Sequence, residues 1–212
     1  MGSTGAAARR VIVVAIGDST TAGTPLFKSP VEAPPAGEGD ETSQFAYWLM
    51  QARPDWDVRN RGVNGERSDQ IRARWDSDVA AGNPAAVIII AGVNDVYQGL
   101  PVEHVTRELR AMYDLAAVAR IPVVAGSIVP YNTATPEQNA KMRAINDWIR
   151  AEADRDPNIT FADTRAAVAR GDDPDMLRSS PDGLHPDADG YRLMAGVLLP
   201  AIVSALGSRP SA

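Results

Sequence analysis

The sequence predicts an α/β fold: a three-layer α/β/α sandwich around a five-stranded parallel sheet, wound like a flavodoxin. Three observations point there. Short apolar runs recur five times, at residues 11–16, 56–60, 86–91, 121–127 and 159–162. Longer stretches between them carry apolar residues at helical spacing. Strands that alternate with helices are joined by crossovers, which make the strands parallel and place helices on both faces.

Residues 11–16 form a continuous β-branched run, as expected of a strand buried on both faces. Residues 25–39 are rich in Pro, Gly and Ala, and 25–43 reads as one long loop, either a surface insertion or a border of the site. Over 43–52, Phe45, Trp48, Leu49 and Ala52 share one helical face. A short strand follows at 56–60. Ser68 is placed to cap a helix carrying Ile71, Trp75 and Val79. Residues 86–91 contain Val87, Ile88, Ile89 and Ile90, and 102–119 form a helix with Val105, Leu109, Met112 and Ala116 inward.

After the strand at 121–127, Thr135-Pro136-Glu137-Gln138 carries a cap, a proline at the first helical position and a glutamine at the third. Met142, Ile145 and Ile149 then line that helix. The strand at 159–162 closes the set. A last helix spans 191–206, where Pro200 is expected to kink or interrupt it by removing a backbone donor. Trp48, Trp75 and Trp148 read as core-facing anchors, whereas Trp56 has no clear place. One domain over residues 11–206 is expected, with flexible ends at 1–10 and 207–212.

Composition excludes several functions. Hydrophobic residues make up 44% and charged residues 23%, the balance of a folded globular chain. The net charge is -6, with no basic run beyond Arg9-Arg10, so the footprint of a nucleic-acid partner is missing. Cysteine is absent, which removes disulfides, thiolate metal sites and a cysteine nucleophile. The apolar run behind Arg9-Arg10 is too short for a signal-peptide core, and no stretch approaches the roughly 20 apolar residues of a membrane span. A cytoplasmic location is the default expectation, and the oligomeric state is not legible.

Three motifs share one address, just past the carboxyl ends of the first three strands. They are Gly17-Asp18-Ser19-Thr20, Gly62-Val63-Asn64-Gly65 and Gly92-Val93-Asn94-Asp95. If the strand order is 2-1-3-4-5, Ser19 and Asn94 face each other across the crevice where the order reverses. A fourth motif, Asp182-Gly183-Leu184-His185-Pro186, precedes the last helix. An aspartate three residues ahead of a histidine can accept its Nδ1–H and leave the other nitrogen free as a base. Serine needs such a base, because its hydroxyl is unionised at neutral pH. Acyl transfer also needs donors for an oxyanion, and the N–H groups of Ser19 and Gly65 and the amide of Asn94 are candidates.

On these motifs the sequence resembles the SGNH hydrolases, the GDSL-type esterase and lipase family. Ser19, Gly65, Asn94 and His185 match its four named residues, and the likeness runs over residues 11 to 206. Thr20 replaces the usual leucine of the first block, outside the chemistry. Gly62 is a rival for the oxyanion glycine, and Gly65 is preferred because it follows Asn64. The resemblance implies a carboxylic ester hydrolase with catalytic Ser19, Asp182 and His185, acting through an acyl-enzyme on short-chain or acetyl esters. It implies a small-molecule ester as partner, and neither a metal nor an organic cofactor. An acyltransferase with an alcohol or sugar acceptor would use the same site, and a non-catalytic binding module is the reading from another class. His104 is expected to face solvent. The acidic stretches around residues 172–175 and 187–189 are expected to be solvated loops and helix caps rather than calcium sites.

Overall fold

The computed structural model describes residues 10–207. Most of the expected ends, residues 1–9 and 208–212, lie outside them.

The main sheet consists of β1 (Val11–Gly17), β4 (Trp56–Gly62), β5 (Ala86–Ile90), β6 (Val123–Gly126) and β7 (Ile159–Ala162), in the order β4-β1-β5-β6-β7 and parallel throughout. Counting only these five strands, that is 2-1-3-4-5. The reversal falls at β1, whose last residue, Gly17, pairs with Gly62 on one side and Ile90 on the other. Three strand ends therefore finish level, and the loops that follow them converge.

Strand alternation divides the core in two. Val14, Ile16, Val87, Ile89, Val123 and Ala125 face one way. They pack against α3 (Ser68–Ala73), α4 (Trp75–Asp78), α6 (Val102–Val118) and α7 (Pro136–Arg155). Val13, Ala15, Ile88, Ile90 and Val124 face the other, against α2 (Phe45–Ala52) and α9 (Ala188–Gly207). Helices thus cover both faces, as parallel sheets require. The remaining helices, α1 (Ser19–Ala22), α5 (Val93–Tyr97) and α8 (Thr164–Val168), are short.

The edge strand β4 alternates: Trp56, Val58 and Asn60 are buried, while Asp57, Arg59 and Arg61 are half-exposed. Charged residues of this kind blunt an edge against further strand pairing. Trp56 is thereby a core residue of the α2/α9 side.

Several expectations need correction. The segment at 25–43 is not wholly a loop, because β2 (Phe27–Lys28) and β3 (Glu38–Gly39) form an antiparallel ribbon inside it and a turn of 3-10 helix spans Glu41–Ser43. The helix expected from Ser68 through Val79 is broken into α3 and α4. Ser68 is the first helical residue rather than the cap, since its hydroxyl donates to Asp95 Oδ1 (2.7 Å). The box at Thr135 forms as expected: Gln138 N–H donates to Thr135 Oγ1 (3.2 Å) and Thr135 N–H to Gln138 Oε1 (2.9 Å).

Helix α9 runs unbroken through Pro200. Pro200 and Gly196, whose carbonyl loses its donor, both lie on the exposed side, where water can replace the missing bond. This helix also has 20 residues, with an 18-residue window of mean hydropathy 1.4, enough by length and composition for a membrane span, where none was expected from the sequence. Its Tyr191, Met194, Leu198 and Ile202 are buried in the core.

Candidate active site

The site is assembled at the sheet reversal. At the end of β1, a side chain on Gly17 would lie 2.4 Å from the Ile90 carbonyl oxygen, so only glycine lets the chain turn this close to β5. Asp18 then caps α1, its Oδ1 accepting the N–H of Thr20 (2.9 Å). Ser19 follows as the first helical residue, a position whose N–H has no partner inside a helix.

The histidine arrives on the loop between α8 and α9. His185 Nε2 lies 2.9 Å from Ser19 Oγ, and His185 Nδ1 lies 2.7 Å from Asp182 Oδ2. The other carboxylate oxygen, Oδ1, accepts the N–H groups of Leu184 (2.9 Å) and His185 (2.8 Å). Gly183, at φ 76°, supplies the left-handed residue that this tight turn uses. Burial alone would raise the Asp182 carboxyl, but the bonds from the imidazole and the two backbone N–H groups hold it below the usual carboxylate range. An ionised Asp182 can only accept, so the proton sits on Nδ1 and Nε2 is left to accept from Ser19. Two further bonds fix the loop: Ser180 Oγ donates to the His185 carbonyl (2.6 Å), and Asn132 N–H donates to that of Gly183 (2.8 Å).

Across the crevice, Asn94 stands on α5. Gly92 precedes it at φ 123°, where a side chain would strike Val105 and Ile128. One hydrogen of the Asn94 amide goes to the Glu66 carbonyl (2.9 Å), leaving the other available. The two rival glycines separate clearly. Gly62 is buried and donates its N–H to Asn60 Oδ1 (2.9 Å), so it has no donor to offer. Gly65 is exposed, at φ 78°, with nothing within 4 Å of where a side chain would start.

The loop carrying Gly65 is held on both flanks. Glu32, from the ribbon segment, accepts the Asn64 N–H (2.9 Å) with Oε1, and the Ser29 hydroxyl donates to the Gly62 carbonyl (2.5 Å). On the far side, Asp95 takes both the N–H (2.9 Å) and the hydroxyl of Ser68.

A cavity of about 190 Å³ opens on Ser19, Asn94 and His185, and Tyr97, Tyr131 and Leu184 also line it. Asn64, rather than Gly65, contributes to its wall. A larger cavity, about 740 Å³, lies between the 30–36 segment, α2 and β4. It contains neither Ser19 nor His185, so the smaller one is the place for chemistry. Sequence reasoning did not find Tyr97 or Tyr131, which belong to no motif.

His104 does not simply face solvent. Its Nε2 is turned inward, 3.5 Å from Asp95 Oδ1 and 3.8 Å from Asp69 Oδ1. The three residues are close enough to suggest a metal site, but the donor set argues otherwise. Arg67 holds both oxygens of Asp69, Ser68 holds both of Asp95, and Arg107 donates to His104 Nδ1 (2.9 Å). An arginine cannot accept, so Nε2 carries the imidazole proton and cannot ligate. Elsewhere, Asp187 accepts the Gly190 N–H (2.8 Å) in the first turn of α9, and Asp172 and Asp175 pair with arginines.

Comparison with known proteins gives a consistent result. Residues 15–193 match the model of the GDSL-like lipase/acylhydrolase family. The chain is 31% identical over 189 residues to an acetylxylan esterase from Geobacillus stearothermophilus, a match covering 79% of this chain and 85% of that one. Among solved structures, a protein described as belonging to the lipolytic G-D-S-L family, from Desulfitobacterium hafniense, superposes with a TM-score of 0.74. The two are 26% identical, over 91% of this chain and 99% of that one. A variant of an acetyl-xylooligosaccharide esterase from Geobacillus shares the architecture, with a TM-score of 0.69 at 22% identity, over 92% and 96% of the two chains.

Proposed function

Because the chain belongs to the GDSL-like lipase/acylhydrolase family and is therefore an ester hydrolase, we propose that it works through an acyl-enzyme on Ser19. The observation that carries this reading is the line Ser19 Oγ, His185, Asp182, with links of 2.9 and 2.7 Å. His185 takes the hydroxyl proton through Nε2 as Oγ attacks the ester carbonyl. Asp182 stabilises the imidazolium that forms and keeps the ring turned. The oxyanion is met by the N–H groups of Ser19 and Gly65 and by the free hydrogen of the Asn94 amide. His185 then protonates the departing alcohol, and afterwards deprotonates the water that releases the acid and restores Ser19.

The small cavity favours a short acyl group, since pockets for drug-sized ligands measure roughly 300–1,000 Å³ and this one has about 190 Å³. The acetyl ester in the name of the 31% identical relative agrees with that preference. The test is hydrolysis of p-nitrophenyl esters from acetate to palmitate by the wild type and by Ser19→Ala. Activity that falls with chain length and drops at least about a thousandfold in the variant is expected. A variant that keeps its turnover would remove Ser19 as nucleophile.

A further inference from the structure

Among the lining side chains that the mechanism above does not use, Tyr131 stands apart. Tyr131 is 2% exposed, forms part of the same wall as Ser19 and His185, and its hydroxyl has no hydrogen-bond partner among the described residues. Buried hydroxyls in folded proteins are nearly always paired, and an exception at a ligand cavity points to the ligand as the missing partner. We propose that the Tyr131 hydroxyl reads the substrate by hydrogen-bonding a free hydroxyl on the alcohol part of the ester. The substrates this site is built for are then partly acylated polyols or sugars rather than simple alkyl esters. The inference rests on the esterase reading.

The alcohol side is assigned by position. Tyr131 lies on the segment that follows β6, and its neighbour Asn132 donates its N–H to the Gly183 carbonyl, two residues before His185. That bond ties Tyr131 to the loop whose imidazole protonates the leaving alcohol. Asn94, Gly65 and Ser19, the groups assigned to the oxyanion, come from other elements.

A second aromatic residue suits the same ligand. Tyr97 stands edge-on to Tyr131, with ring centroids 5.9 Å apart and an interplanar angle of 62°, and it is 59% exposed at the cavity. An exposed ring beside a buried hydroxyl offers an apolar face to the C–H groups of a polyol and a polar contact to one of its oxygens. Burial, and then the Tyr97 phenol, push Tyr131 up to about 12. It therefore stays neutral and able both to donate and to accept.

The test uses two acetates matched in size, glycol monoacetate and propyl acetate, which differ by a hydroxyl in place of a methyl. Wild-type kcat/KM should favour the hydroxylated ester by about three- to tenfold, the worth of one neutral hydrogen bond. In Tyr131→Phe that ratio should fall to about one, with a Tm no lower than wild type, because the hydroxyl removed had no partner. The same ratio in both proteins would overturn the proposal. So would a Tyr131-dependent preference for hydroxyacetyl over propanoyl p-nitrophenyl esters, which would put the recognised hydroxyl on the acyl side. Absence of wild-type turnover on every ester would instead sink the esterase reading, and this inference with it.

Discussion

The Asn94 amide donates to the carbonyl of Glu66 at 2.9 Å, one residue beyond Gly65. A single side chain thus lines the cavity and holds the loop that carries Gly65, the neighbouring donor proposed above. Asn94→Ala removes both functions. We expect kcat on p-nitrophenyl acetate to fall by about 10²–10³, as when one oxyanion donor is lost elsewhere, with the smaller change in KM. A loss confined to KM would mean that Asn94 binds the ground state only.

Asp182→Asn separates orientation from charge. Its carbonyl oxygen can still accept from the Leu184 and His185 N–H groups, so the turn survives. Its amide would face His185 Nδ1 with a hydrogen, forcing the proton onto Nε2 and leaving Ser19 without a base. Turnover should fall by between about tenfold and 10⁴-fold. Far-UV circular dichroism should be unchanged. Full turnover in the variant would show that the histidine needs no acceptor at Nδ1.

Asp18 predicts an unusual pH dependence of stability. Burial raises its carboxyl from 3.8 to about 7, against the opposing hydrogen bonds from Thr20, and the nearby Asp95 adds to the rise. Below the ordinary carboxylate value Asp18 is protonated in both folded and unfolded chains, and its contribution is complete. Between 3.8 and about 7 only the unfolded chain ionises, so stability is lost as pH rises, and the loss levels off above that range. Asp18→Asn keeps a capping side chain and has no such ionisation. Its unfolding free energy relative to wild type should climb between about pH 4 and pH 7, by an amount on the order of a few kcal/mol, with Tm rising in step, and then stay flat. A difference independent of pH would refute the buried, raised carboxyl.

Much of this architecture is written in local patterns. The β-branched runs at β1 and β5 announce buried parallel strands because both of their faces lie against helices. The Thr135 box announces α7 because its two bonds span only four residues. Ser19, Asn94 and His185 are legible because each sits in a short motif at a strand end or before a helix. What escapes is decided over long separations. Asp95 lies 27 residues from Ser68 and changes it from a cap into the first helical residue. The inward turn of His104 depends on Asp69 and Asp95, neither of which neighbours it in sequence. The ribbon strands β2 and β3 are two residues each, too short to show a period.

The hydrogen bond between Glu32 and Asn64 makes residues 25–43 something other than exchangeable cargo. Segments of this kind are natural candidates for grafting between relatives, since they lie outside every catalytic block. Here a graft that omits the carboxylate would remove one of the two bonds, the other being from Ser29 to the Gly62 carbonyl, that hold this flank of the Gly65 turn, while leaving every named catalytic residue in place. If Gly65 serves as proposed, a change at position 32 is expected to lower turnover. A library that varies this segment for new substrates should keep Glu32 fixed, or it will discard good binders for want of an anchored donor.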